Sequence, residues 1–292
     1  MATLEGTGIW NAGLRFRDTS ESTDAAAELE ELGYTSLWIP DYKRGLFAAA
    51  SRLLGATRNI VVASGVANLW AHTPDEAAGA ISELETAHPG RFLFGLGVSH
   101  APSVASLGND LRYEKPLAKM GGFLDGLDAA TPPVRPDQRL LAALGPRMLA
   151  LAAERSAGAH PYNVTPEHTA IAREALGPGK LLVPEQAVAV TTSPDEARQI
   201  GRQFLEHYLA LPNYAGNLRR LGFTEDDLAG GGSDRLVDAL VAWGDEDAIA
   251  ARLQAHRDAG ADSVCIQVIT DTGMVDLPRA EWRTLAPALT AH

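Results

Sequence analysis

Short runs of β-branched and aromatic residues recur along the chain, each followed by an Ala- and Leu-rich segment at helical spacing. That alternation limits the fold more than any other feature. Gly6 to Gly13 reads as a first strand. A helix then begins near Ser22 and Asp24, sets Ala25, Leu29 and Leu32 on one face and stops at Gly33. Ser36 to Asp41 reads as a second strand, followed by a helix around Leu46 to Leu54. Asn59 to Trp70 reads as a third strand, and Thr73-Pro74-Asp75-Glu76 opens the helix after it. Arg91 to His100 is the fourth strand. Later strands are expected up to Gly145, at Ala157 to Tyr162, within Leu182 to Thr191 and at Ser263 to Ile269. Before the last of them lies a helical region, Ala197 to Ala259, broken at Leu211-Pro212-Asn213 and Gly230-Gly231-Gly232.

About eight strands alternating with helices predict a single-domain α/β fold, a (β/α)8 TIM barrel with a helical excursion around 197–245. An open doubly wound sheet is the alternative. It lacks its Gly-rich fingerprint: Gly95 to His100 holds two glycines without a third and lies on a strand.

Composition removes whole function classes. The 292 residues are 46% hydrophobic with a formal net charge of −12, which disfavours disorder, nucleic acid and anionic membrane surfaces. One cysteine, Cys265, lies in an apolar run, so no internal disulfide forms and a reducing compartment fits. Neither a basic-then-apolar leader nor an apolar stretch of membrane-spanning length is evident, and the expectation is a soluble, cytoplasmic protein.

A barrel carries its site at the C-terminal ends of its strands. Here those ends are rich in Gly, His and aromatics and hold no carboxylate cluster. The eight histidines show no helical i, i+4 pair and no His-x-His at a strand end, so no metal site is expected. A nucleophile elbow and a P-loop are likewise missing. What remains is a site for a large planar cofactor. Gly65, inside the third strand, suggests a bulge or a close ligand, with a plain strand irregularity as the alternative.

Three stretches carry a resemblance. Gly33-Tyr34-Thr35-Ser36-Leu37-Trp38-Ile39-Pro40-Asp41, Ala63-Ser64-Gly65-Val66-Ala67-Asn68 and Gly90 to Pro102, in this order and spacing, resemble the bacterial luciferase-like superfamily, in particular its actinobacterial oxidoreductases that use coenzyme F420. The resemblance implies an enzyme that passes a hydride between the deazaflavin and a small organic substrate; an FMN-dependent two-component monooxygenase is the alternative. It also implies a non-prolyl cis peptide at Ser64-Gly65 or Gly65-Val66 behind the cofactor ring. Cofactor contacts fall on Asp41, Ser64, Gly65, Val66 and Asn68, on Gly97, Val98 and Ser99, and on Gly158, Ala159 and His160, the last three near a phosphate. Asp41, Tyr42 and His100 are the catalytic candidates. Many relatives have histidine where this chain has Tyr42, and a phenol is a poorer proton shuttle than imidazole at neutral pH. His72 is a further substitute for that proton role. Arg147 could add charge beside the phosphate, and Tyr208 and Tyr214 could line a substrate pocket. A homodimer is usual in the family, and Ala48, Ala49, Ala77 and Ala78 would suit close helix contact.

Overall fold

The computed structural model describes residues 4–42, 45–108 and 111–290. Its centre is a curled sheet in which all the strand pairs are parallel. In chain order the strands are β1 (Thr7–Trp10), β2 (Ser36–Ile39), β3 (Val61–Ser64), β4 (Ala67–Asn68), β5 (Phe92–Gly97) and β6 (Arg139–Leu141). They continue as β7 (Gly158–Ala159), β8 (Leu181–Leu182), β9 (Glu185–Ala189), β10 (Val241–Trp243) and β11 (Val264–Val268). The pairing order is β10-β9-β11-β1-β2-β3-β5-β6-β7-β8, with β4 paired to β5.

Helices cover the outside because every parallel pair needs a crossover. Period-2 alternation decides which side chains go where. On β2, Leu37 and Ile39 point to the helices and join the large core with Leu29, Leu53, Leu84 and Leu124, while Trp38 points inward. Trp10, Ala63, Leu93, Leu140, Val183 and Cys265 share that inner cluster. The Thr73 cap works as its sequence implies, with a capping box closed by Glu76 at the start of Pro74–Ala87.

The expected count of eight strands needs correcting. Among the described residues there are eleven, for three reasons. The third strand breaks at Gly65–Val66 into β3 and β4. The seventh breaks at Pro184, which has no N–H for a ladder, into β8 and β9. β10 lies in a segment whose sequence reads as helix. One run reaches both ends of the pairing order: Leu181 to Leu182 forms the edge strand beside β7, and Glu185 to Val188 pairs with β11 next to the other edge strand, β10. The excursion around 197–245 is present as helices Pro194–Leu209, Pro212–Arg220, Glu225–Leu228 and Asp234–Leu240, with a core of its own around Leu205, Leu218 and Val237. Ala49, Ala77 and Ala78 are buried in the chain's own core, so their small size serves packing within one chain, whereas Ala48 is exposed.

β3 and β5 approach too closely for a side chain between them. A Cβ on Gly95 would stand 2.0 Å from the Ser64 carbonyl oxygen, while the Ser64 hydroxyl donates to the Gly95 carbonyl at 2.8 Å. Gly95→Ala must therefore push two backbones apart. A loss of about 1–3 kcal/mol is expected, read as a lower urea midpoint at unchanged slope.

Candidate functional site

The second strand delivers Asp41 to its C-terminal end, and the surroundings enclose the carboxylate almost completely: its side chain is 1% exposed. Oδ1 faces the Arg15 guanidinium at 3.2 Å. Oδ2 lies 2.7 Å from His72 Nε2 and accepts the Asn68 backbone N–H at 3.0 Å. Arg15 also donates to the Pro40 carbonyl. One carboxylate thus ties together the segment after β1, the end of β2, the start of the β4 turn and the loop before Pro74–Ala87. Both its oxygens are occupied by this work, so Asp41 braces the site. Tyr42 is 61% exposed, outside the cavity lining.

The bulge follows. Gly65–Val66 is a cis peptide. Trp10 Nε1 donates to the Gly65 carbonyl at 2.7 Å, and the Gly65 N–H donates to the Ile39 carbonyl at 2.8 Å. Val66 is thereby turned toward a cavity of about 370 Å³. Gly97, Val98, Ser99 and His100 line the same cavity from the end of β5, Ala142 to Met148 from the end of β6, His160 and Tyr162 from the end of β7, and Tyr214 from the helical excursion. Size and mostly apolar walls suit a small-molecule site. Gly97 matters here, because a Cβ on it would stand 2.5 Å from Val66 Cγ2 and fill the floor.

Of the residues singled out in the sequence, the fold brings Val66, Gly97, Val98, Ser99, His100 and His160 to this cavity, with Arg147 and Tyr214. Asp41, Tyr42, Ser64, Gly65, Asn68, Gly158 and Ala159 do not line it. Ser64 is fully buried with its hydroxyl given to Gly95, and Gly158 and Ala159 lie within the sheet between β6 and β8. Tyr208 faces a second cavity of about 250 Å³ with Phe204, His207, Gln267, Ile269 and Met274. Among the described residues no group of three or more His, Cys, Asp or Glu could hold a metal ion, and no helix is long and apolar enough to cross a membrane.

Tyrosines divide the two cavities. Tyr162 donates to Gln267 Oε1 at 2.6 Å, which leaves Tyr208 to donate to the Tyr162 oxygen at 3.0 Å. Tyr214 packs on both rings, its centroid 6.3 Å from Tyr162 and 5.3 Å from Tyr208. Burial pushes all three phenols up, Tyr208 to about 12, so they serve as hydrogen-bond donors and stay protonated at neutral pH. Glu185, at the start of β9, adds to that upward push on each of them. It is fully buried, accepts the Asn163 N–H at 3.0 Å, and burial raises its carboxyl to about 8. His100 is pushed down by burial, against a side-chain hydrogen bond to Asn213 that raises it, and is therefore neutral at pH 7.

Arg15 and Tyr162 were not singled out by sequence. Arg15 lies in a short helix, Gly13–Phe16, where an arginine has no periodic signal. Tyr162 could be found only as part of a strand end.

A family model described as luciferase-like monooxygenase matches residues 7–263. The chain belongs to that family. No curated protein matches it. Solved structures do, at low identity. An F420-dependent secondary alcohol dehydrogenase bound to an F420-acetone adduct has a TM-score of 0.76 and 12% identity, over 99% of this chain and 100% of that one. The coenzyme F420-dependent tetrahydromethanopterin reductase of Methanopyrus kandleri has 0.74 and 14%, over 99% of both. The FMN-bound oxygenating constituent of the 3,6-diketocamphane monooxygenase of Pseudomonas putida has 0.69 and 14%, over 98% of this chain and 96% of that one. The luciferase-like chain is thus similar in fold to enzymes of both cofactor types, and an oxidoreductase of this family is supported.

Two outcomes follow from the site's charges. Asp41→Asn leaves the buried Arg15 guanidinium facing a neutral amide, and a loss of about 3 kcal/mol in urea unfolding is expected. Adding Arg15→Met in the same chain should recover part of it, because the uncompensated charge is then gone. Glu185 binds its proton more tightly folded than unfolded, so its contribution is complete below the unfolded value of about 4.5 and is lost as pH rises through about 8. Wild type should therefore lose stability between pH 5 and pH 8 relative to Glu185→Gln, in paired urea titrations at the two pH values.

Proposed function

We propose that this protein is a coenzyme F420-dependent oxidoreductase that moves a hydride between the deazaflavin and a small organic substrate, working as one domain with its curled sheet acting as a (β/α)8 barrel. The observation that carries the reading is the bulge between β3 and β4, which turns Val66 onto the floor of the cavity while Trp10 holds the Gly65 carbonyl from behind. Gly97 lets Val66 pack directly against the β5 backbone, where a Cβ would stand 2.5 Å from Val66 Cγ2, and so lets Val66 form the floor against which a flat heterocycle would lie. Arg147, at the first turn of Pro146–Arg155, lines the same cavity and supplies positive charge at a helix N-terminus for an anionic tail.

The bound deazaflavin would supply reversible hydride exchange at its C5 carbon. The chain's own groups handle the proton. His100 is neutral, faces the cavity and is oriented by Asn213, so it can take a proton from a substrate hydroxyl or return one. Tyr214 stays protonated and donates a hydrogen bond to a substrate oxygen, whereas the one proton of Tyr162 is committed to Gln267. Asp41 acts on the site only through Arg15, His72 and the Asn68 backbone. The apolar residues Val66, Ala142, Ala143 and Leu144 keep water from the reacting carbon. A homodimer in the cytoplasm completes this reading.

A second reading, an FMN-dependent monooxygenase, is favoured by the likeness to the FMN-bound diketocamphane enzyme. Equilibrium titration of the purified protein with each cofactor separates the two. Coenzyme F420 is expected to bind at micromolar concentration or below with a perturbed absorption band, and FMN at least about tenfold more weakly, a difference of roughly 1.4 kcal/mol. Tighter FMN binding would transfer the assignment to the monooxygenase, and binding of neither would remove both.

A further inference from the structure

One polar atom on a residue lining the cavity is left without a partner by the protein. His160 follows β7, is 1% exposed, and its ring lies flat on Trp38 with centroids 4.2 Å apart and planes at 19°. Its Nδ1 stands 2.6 Å from the Val183 carbonyl oxygen. A carbonyl has no hydrogen to give, so the proton of that bond belongs to Nδ1. Nε2 is buried with no hydrogen-bond partner among the described residues. Burial holds the imidazole down at about 4, so at neutral pH the ring carries a single proton, on Nδ1, which donates it to the Val183 carbonyl. What Nε2 presents is a lone pair, its direction set by the stack on Trp38. Native proteins leave few buried acceptors unmet, and an exception at a cavity wall calls for a ligand.

We propose that His160 reads a hydrogen-bond donor on the bound molecule: Nε2 accepts from an N–H or O–H and makes no contact with a phosphate. A lone pair in this position repels phosphate oxygens, which reverses the anion-binding role the sequence resemblance implies for this residue. The neighbouring walls agree, since Val66, Ala142, Ala143 and Leu144 offer an anion nothing, and positive charge on the cavity comes from Arg147. Two donors share the required chemistry: the imide N–H of a flavin or deazaflavin ring, which rests on the cofactor reading above, and a hydroxyl of the substrate. The first source makes His160 a cofactor contact, the second a specificity residue for alcohols.

Nitrogen-15 NMR of protein labelled at histidine decides the matter without turnover. In the free protein at pH 7, Nδ1 should resonate as protonated and Nε2 as bare; a protonated Nε2 would overturn the proposal. Coenzyme F420, FMN and propan-2-ol are then added separately, and propan-2-ol also together with each cofactor. A shift of Nε2 toward the hydrogen-bonded position with a cofactor alone assigns the imide donor, and one that needs propan-2-ol assigns the hydroxyl. If cofactor binding is seen by absorbance while Nε2 moves in no arm, the proposal fails and the cofactor reading stands. If neither cofactor binds, the cofactor reading fails and the propan-2-ol arm alone decides His160. His160→Phe keeps the stack on Trp38 and deletes both nitrogens. It should bind the responding probe about fivefold to tenfold more weakly, and undiminished affinity would count against the proposal. Should that variant not fold, the wild-type spectra remain sufficient.

Discussion

A carboxylate taken out of water has to be met by charge and by hydrogen-bond donors together, and at Asp41 the fold supplies both. Arg15 faces one oxygen, and His72 and the Asn68 N–H meet the other. These partners come from three separate segments, and Asp41 itself lies just beyond the end of β2. Because the groups share one buried carboxylate, the segments are fixed relative to one another. Asn68 in turn belongs to β4, which pairs with Gly97 of β5. The bracing at Asp41 therefore reaches the cavity floor through a backbone contact and a single ladder.

The cavity divides into halves of different chemistry. On the side of β3, β5 and β6 the walls are small and apolar, with Gly97 allowing Val66 to pack closely where any side chain would collide with it. On the other side stand polar lining groups whose charges are suppressed by burial: neutral His160 and the phenols of Tyr162 and Tyr214, which keep their protons. His100 and Arg147 also line the cavity, Arg147 beside a helix start. This division suits a reaction in which a hydride crosses an apolar gap while a proton leaves by another route.

The legible part of the site is instructive residue by residue. Gly97 to His100 were readable because a strand end points its last residues at the same mouth whatever the neighbours do. Val66 was readable because glycine inside an apolar strand marks an irregularity. Asp41 is singled out by the resemblance as an acid of the site, and its carboxylate turns inward to Arg15, a residue 26 positions away that carries no sequence signal. Gly158 and Ala159, expected near a phosphate, pair with the first half of the seventh strand, which divides at Pro184. Glu185 has the opposite history: it opens β9, and nothing local shows that the fold will bury it opposite Cys265 of β11.

The order of amino acids by itself determined the alternation of strands and helices, the parallel sheet that alternation demands, the capped helix starts and the family. All of these rest on short-range rules of side-chain spacing and backbone preference. The tertiary structure alone decided that the seventh strand would divide, that Val241 to Trp243 would add a strand, and which strand-end side chains face the cavity. Those outcomes depend on how far the sheet curls and on which distant groups meet in the space it leaves. The physical reason is that burial, and with it every shifted proton affinity at this site, is a property of neighbours in space.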